Sequence, residues 1–131
     1  MVLVDTSVLI GYFRGEENEA VEKFDYILDA GLPFRINSFI YQELLQGVKT
    51  PKEFERLKEY LDTQKFYHLK DWKESFASAA KIYFACCRKG ITLSSTIDCL
   101  IAQTAIENNL FILHHDADFN RMAQVVDLKF Y

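Results

Sequence analysis

Short apolar runs alternate with longer stretches of helical periodicity along this 131-residue chain. Val2-Leu3-Val4 is apolar, partly β-branched and followed at once by Asp5, the pattern of a buried strand ending on a polar residue. Thr6 to Phe13 reads as a short helix. Across residues 17–30, Ala20, Val21, Phe24, Ile27 and Leu28 recur at helical spacing, and Gly31 closes the helix. Residues 33–37 read as a second strand, with Ser38 capping a helix that runs to about Val48. Thr50-Pro51-Lys52-Glu53 is a helix start: a capping Thr, Pro in the first turn, and Glu at the capping-box position. Residues 65–69 predict a short strand. Asp71-Trp72-Lys73-Glu74 opens a long helix that ends near Lys89-Gly90, where Arg88 and Lys89 suit its negative C-terminal end. Ser94 or Ser95 is expected to cap a helix reaching about Asn108. Residues 110–113 form a buried strand, residues 118–123 a helical turn, and residues 125–130 a last strand.

Strands therefore alternate with helices, and the strands are continuous apolar runs rather than alternating ones. That pattern predicts an α/β fold in one domain spanning residues 1–131, a parallel sheet covered by helices on both faces. Ligands of such sheets bind beyond the carboxyl ends of the strands. The residues directly after each strand thus carry the most functional information.

Composition narrows the classes. Half the residues are hydrophobic and 26% charged, which excludes a disordered or low-complexity chain. No apolar run approaches the ~18 residues of a membrane span, and the opening residues lack the basic region of a leader. Cys86, Cys87 and Cys99 are odd in number and form no CxxC, so they read as small core residues in a reducing cytoplasm rather than a disulfide framework or zinc site. The net charge of −4 does not suit a simple basic nucleic-acid binder. A site built of carboxylates, however, hides negative charge within itself.

Four acids stand where carboxylates are unusual. Asp5 follows the first strand and Asp116 follows the Leu110–Leu113 strand, both at the ligand edge, where a helix cap or turn is the ordinary use of Asp. On a wheel with Ile40 at 0°, Glu43 falls at about 300°, next to Phe39 at about 260° and inside the apolar arc. With Ile97 at 0°, Asp98 falls at about 100°, between Ala105 at about 80° and Ala102 at about 140°. The competing use of Asp98 is a capping box in Ser95-Thr96-Ile97-Asp98, helped by the helix dipole. Carboxylates brought together repel and raise one another's pKa unless a cation neutralises them, and oxygen-only ligands suit Mg²⁺ or Mn²⁺. His114 and His115 are adjacent and leave one strand end in different directions, which disfavours zinc.

With these residues in view, the chain resembles the PIN-domain nucleases, and among them the VapC-type ribonuclease toxins of toxin–antitoxin pairs. Val2-Leu3-Val4-Asp5-Thr6-Ser7 matches the family's opening strand, first acid and hydroxyl pair. The helix Ser38–Gly47 matches the one bearing the second acid, Asp98-Cys99-Leu100-Ile101-Ala102 the third, and His115-Asp116-Ala117-Asp118-Phe119 the fourth. The chain departs from the family at His114, where Thr or Ser is common.

The resemblance implies a Mg²⁺- or Mn²⁺-dependent endoribonuclease whose catalytic quartet is Asp5, Glu43, Asp98 and Asp116. Asp5, Asp98, Asp116 and, as an additional member, Asp118 would ligate the metal, and Thr6 would place a hydroxyl nearby. Products with 5′-phosphate and 3′-hydroxyl ends, a homodimer and a small antitoxin lying over the groove are implied in the same way. RNA backbone contacts are expected from Arg14, Arg88 and Lys89, with Lys49, Lys52 and Arg121 as further rim cations. The helices containing Phe24 and Phe54 are the expected dimer faces. The alternative function is a non-catalytic PIN module retained for partner or RNA binding. A haloacid-dehalogenase-type phosphatase wants Asp where Ser7 stands, and a receiver domain wants an acidic pair where Asp5-Thr6 stands.

Overall fold

The computed structural model describes residues 1–131. In chain order the elements are β1 (Val2–Val4), α1 (Thr6–Phe13), α2 (Glu19–Asp29), β2 (Phe34–Arg35), α3 (Ser38–Gln46) and α4 (Pro51–Asp62). They continue with α5 (Trp72–Arg88), α6 (Ile97–Glu107), β3 (Phe111–Leu113), α7 (Ala117–Met122) and β4 (Lys129–Phe130). The four strands form one parallel sheet in the order β2-β1-β3-β4. Val2 pairs with Phe34 on one side and Phe111 on the other, so β1 and β3 are central. The chain turns one way from β1 to β2 and the other way to reach β3. That reversal opens a crevice beyond the carboxyl ends of β1 and β3.

All of Val2, Leu3 and Val4 are buried. Successive strand side chains point to opposite faces, so both faces of β1 are covered, as its unbroken apolar sequence requires. Helices α1 and α2 pack together, α5, α6 and α7 pack together, and α3 touches both α1 and α6. One contiguous core of 26 buried apolar residues joins them, with Phe24, Leu3, Ile101 and Phe119 fully enclosed.

Several local expectations are corrected. Asn37, not Ser38, caps α3, its Oδ1 accepting the Ile40 N–H at 2.9 Å. The strand expected at residues 65–69 reduces to a single parallel bridge between Ile36 and Phe66, and the last strand is confined to Lys129–Phe130. Ser94 does not cap α6; Ser95 Oγ accepts the Ile97 N–H at 3.2 Å from just before it. Gly31 and Gly90 have φ of +63° and +73° after α2 and α5, the left-handed conformation glycine adopts without strain. Cys86 and Cys99 are buried, but Cys87 is exposed and is no core residue. Phe24 meets the rings of Tyr12 and Phe34 at 5.1 and 5.2 Å and is wholly internal, so on α2 the exposed aromatic is Tyr26 and on α4 Phe54 and Tyr60. The large exposed aromatics are instead concentrated on α5, where Trp72 is 77% and Phe84 59% exposed, with Phe76 and Tyr83 beside them. No helix is long and apolar enough to cross a membrane.

Candidate active site

The ends of β1 and β3 deliver two of the acids. The β1–β3 ladder runs to the Asp5 N–H, which donates to Leu113 O at 2.9 Å. Asp5 then caps α1: its Oδ2 accepts the Ser7 N–H at 3.0 Å and the Ser7 hydroxyl at 2.6 Å. Its other oxygen, Oδ1, is buried and has no partner. Asp116 caps α7, its Oδ1 accepting the Asp118 N–H at 2.9 Å. Both acids are therefore caps, the ordinary use of the residue, yet Asp5 retains an unsatisfied oxygen that capping does not explain.

Helices deliver the others. Glu43 on α3 is half-buried and accepts the Thr6 hydroxyl at 2.9 Å, which joins α3 to the start of α1. Asp98 in the first turn of α6 is 6% exposed, and its Oδ2 is buried without a partner. It makes no cap bond, so the capping-box expectation fails and the intrusion of a carboxylate into the apolar arc is real. Asp118 is fully buried. Its Oδ2 accepts the Ser94 N–H at 2.8 Å and hydroxyl at 2.6 Å, and its Oδ1 accepts from Arg121 Nη1 at 2.7 Å.

Asp98, Asp116 and Asp118 each present a carboxylate oxygen within 4.8 Å of the others. Neither histidine belongs to that set. Burial, and then the charges of Asp5, Asp116, Asp118 and Glu43, push Asp98 up to about 8. Burial raises Asp5 to about 6, against the lowering bonds of Ser7 and with Glu43's charge adding to the rise. Burial would raise Asp118 as well, but the bonds from Ser94 and Arg121 outweigh it and hold this carboxyl below its ordinary value. The five acids thus form one electrostatic unit. Asp5 is compensated on one oxygen only, Asp98 Oδ2 has no partner, and Asp118 is compensated on both oxygens.

An unpaired buried polar oxygen is expensive. Two of them, on two carboxylates that raise each other's cost, fit a bound cation with oxygen preference. Asp98 and Asp116 belong to the close-set group of oxygens that could hold it, and Asp5, outside that group, has a free Oδ1. Asp118 is near enough, but both its oxygens are already engaged.

His114 accepts the Asp116 N–H on Nδ1 at 3.2 Å. Its ring lies 5.0 Å from Phe119 and 4.7 Å from Phe130. Burial lowers its pKa, against the charge of Asp116, which suits an unprotonated Nδ1 acceptor. Of the rim cations, Arg121 is engaged with Asp118, and Lys89 donates to Gln124 O at 3.4 Å at the end of α7. The Arg88 guanidinium lies 5.9 Å over Phe84. Arg14 follows the far end of α1, roughly 12 Å of helix from Asp5. Lys49 and Lys52 are exposed where α3 passes to α4. Ser7, read only as one of a hydroxyl pair, and Ser94, read as a cap, are the polar residues whose carboxylate partners sequence reasoning missed. A Ser two residues after a strand-ending Asp was a usable signal for Ser7, but nothing local marks Ser94, whose partner is 24 residues away.

Residues 2–125 match the PIN domain. The chain is 32% identical over 130 residues to Ribonuclease VapC11 of Mycobacterium tuberculosis, covering 98% of this chain and 96% of that protein. In structure it resembles VapBC-1 from nontypeable Haemophilus influenzae, with TM-score 0.73, 18% identity, and 100% and 97% of the two chains covered. It also resembles FitAcB from Neisseria gonorrhoeae, with TM-score 0.70, 20% identity, and 100% and 96% covered.

Proposed function

The chain belongs to the PIN-domain family, in its VapC branch, and on that premise we propose that it is a divalent-metal-dependent endoribonuclease, the toxin of a toxin–antitoxin pair. The observation that carries the metal dependence is the pair of orphaned oxygens, Asp5 Oδ1 and Asp98 Oδ2, within one unit of five acids at the sheet's switch point. Asp5, Asp98 and Asp116 hold Mg²⁺ or Mn²⁺ in this reading, and Glu43, fixed by Thr6, completes the catalytic quartet. When bound, the ion neutralises charge developing on the phosphodiester and acidifies a water for in-line attack.

The residues of the chain prepare that chemistry. Without a cation the cluster repels the RNA backbone, so ion binding and substrate binding are coupled. Asp98, raised to about 8, is mainly protonated at neutral pH in the metal-free protein and must release its proton to become a ligand. Thr6 restrains Glu43 in the half-buried position from which it reaches the crevice. Arg88 and Lys89, at the end of α5, supply cationic charge for the backbone beyond the acids.

A small antitoxin is the proposed partner, supported by the resemblance to toxin–antitoxin assemblies. A homodimer is proposed through α5, whose Trp72, Phe76, Tyr83 and Phe84 leave more aromatic surface in water than any other helix here.

Expression of the wild type and of Glu43→Gln in bacterial cells, followed by sequencing of newly formed 5′-phosphate RNA ends, tests the proposal. A discrete set of ends seen only with the wild type is expected. Identical end profiles from the two proteins would favour a non-catalytic module that binds RNA or a partner.

A further inference from the structure

Consecutive hydroxyls at the start of α1 serve different acids. Thr6 donates to Glu43 across the crevice, while Ser7 turns back to Asp5. The Ser7 hydroxyl has one proton and accepting lone pairs. Its proton goes to Asp5 Oδ2 at 2.6 Å, and its oxygen accepts the His115 N–H at 2.9 Å. One atom therefore links the acid at the end of β1 to the residue immediately before Asp116.

Neither bond is needed to start the helix. The Ser7 N–H already donates to Asp5 Oδ2, and that capping bond does not involve the hydroxyl. The sheet ladder likewise stops at the bond from the Asp5 N–H to Leu113 O. Beyond that point the two strand ends diverge, and the Ser7 hydroxyl spans them. On the Asp5 side it gives Oδ2 a second donor, which fixes the rotation of the carboxylate and leaves Oδ1 as the oxygen without a partner. On the other side it restrains the segment that aims Asp116, together with the bond from the Asp116 N–H to His114.

We propose that Ser7 is a positioning residue of the metal site: its hydroxyl orients Asp5 so that one oxygen is presented for the ion, and holds the Asp116 segment in register with it. This inference rests on the metal-dependent nuclease reading and deepens it.

Mn²⁺ binding measured by titration calorimetry, with no RNA present, tests it on the full chain. Ser7→Ala is expected to weaken Mn²⁺ binding about 10–100-fold, the usual penalty for losing a partner behind a metal ligand. Ser7→Thr keeps the hydroxyl and is expected to bind within about threefold of the wild type. Adding Ser7→Ala to Asp5→Asn should cost far less than in the wild-type background, because the serine acts through the acid. Unchanged affinity in Ser7→Ala overturns the proposal. So does an equal loss in the alanine and threonine variants, or full additivity with Asp5→Asn. Ser7→Cys, similar in size but a weak donor, carries the same test if the alanine variant does not fold, and unchanged affinity there is equally fatal. A wild type that binds no Mn²⁺ would overturn the metal-site reading itself, an outcome distinct from equal binding by wild type and variant.

Discussion

Asp5 Oδ1 and Asp98 Oδ2 are the two buried side-chain oxygens that accept no hydrogen bond, and the charge of Asp5 helps raise the pKa of Asp98. Each carboxylate comes from a different part of the chain, one from the end of the first strand and one from a helix more than ninety residues later. Their juxtaposition costs the metal-free protein stability, and the cost depends on pH. Asp98 rises from 3.8 to about 8 on folding and Asp5 from 3.8 to about 6. Between these values the folded state holds more protons than the unfolded one, so stability falls as pH rises through the window.

Thermal melts in EDTA should therefore show a wild type that loses stability between about pH 4 and about pH 8. Asp98→Asn should flatten the upper part of that decline and be at least as stable as the wild type at neutral pH, since it removes a carboxyl whose ionisation is opposed by burial and by four acidic neighbours and which the fold can keep only by taking up a proton. Mn²⁺ should raise the melting temperature of the wild type more than that of the variant. A uniform loss of stability in Asp98→Asn, with and without metal, would mean that Asp98 serves the fold alone.

Asp118 should behave in the opposite way. Its carboxylate is held below its ordinary pKa by Ser94 and Arg121 despite burial, so it contributes stability above that value and loses it as pH falls through the lowered one. Asp118→Asn should destabilise the metal-free protein by about 2 kcal/mol, the scale of a hydrogen bond to a charged group. Cleavage should suffer less than in the four quartet variants. Urea unfolding in EDTA checks the first point; a gain in stability would place Asp118 with the repelling ligands.

How far the sequence revealed this arrangement depends on the range of each interaction. The buried strands, the order of the helices and the intrusion of Glu43 and Asp98 into apolar arcs follow from periodicity, which is local. The cap at Thr50 is local too, and Glu53 donates its N–H to Thr50 Oγ1 at 3.1 Å as the motif implies. Ser38 and Asn37 are both good caps standing side by side, and the choice fell to Asn37 because its Nδ2 also reaches Thr104 Oγ1 at 3.3 Å, far along the chain. Ser94 was assigned to a cap for the same reason: its real partner, Asp118, is distant in sequence. Phe24 lies in the apolar stripe of α2, and only its long-range packing against Tyr12 and Phe34 decides that it faces the core rather than a partner.

The rim cations are testable through salt. If Lys89 or Arg88 neutralises one RNA phosphate, its alanine variant should lower the slope of log binding constant against log salt by about 0.7, the value for one contact on a single strand. Filter binding in Ca²⁺ across a salt series measures it. An unchanged slope in both variants would remove the end of α5 from the RNA path.

Assembly is testable on α5. Phe84→Glu places a charge on the most exposed aromatic stretch of the chain, and sedimentation should show a dimer for the wild type and a monomer for this variant. Dimers of equal strength in both would put the interface elsewhere.

The central claim is that the acid cluster binds a divalent ion and thereby cleaves RNA. The most direct measurement is cleavage of a mixed RNA pool by protein stripped of metal, titrated with Mn²⁺, for the wild type alongside Asp5→Asn, Glu43→Gln, Asp98→Asn and Asp116→Asn. The wild type should be silent in EDTA and active with Mn²⁺, and each variant should fall at least about 100-fold, the scale of losing one principal electrostatic contributor. Cleavage that persists in EDTA, or that survives intact in Asp98→Asn purified free of contaminating nuclease, would contradict it.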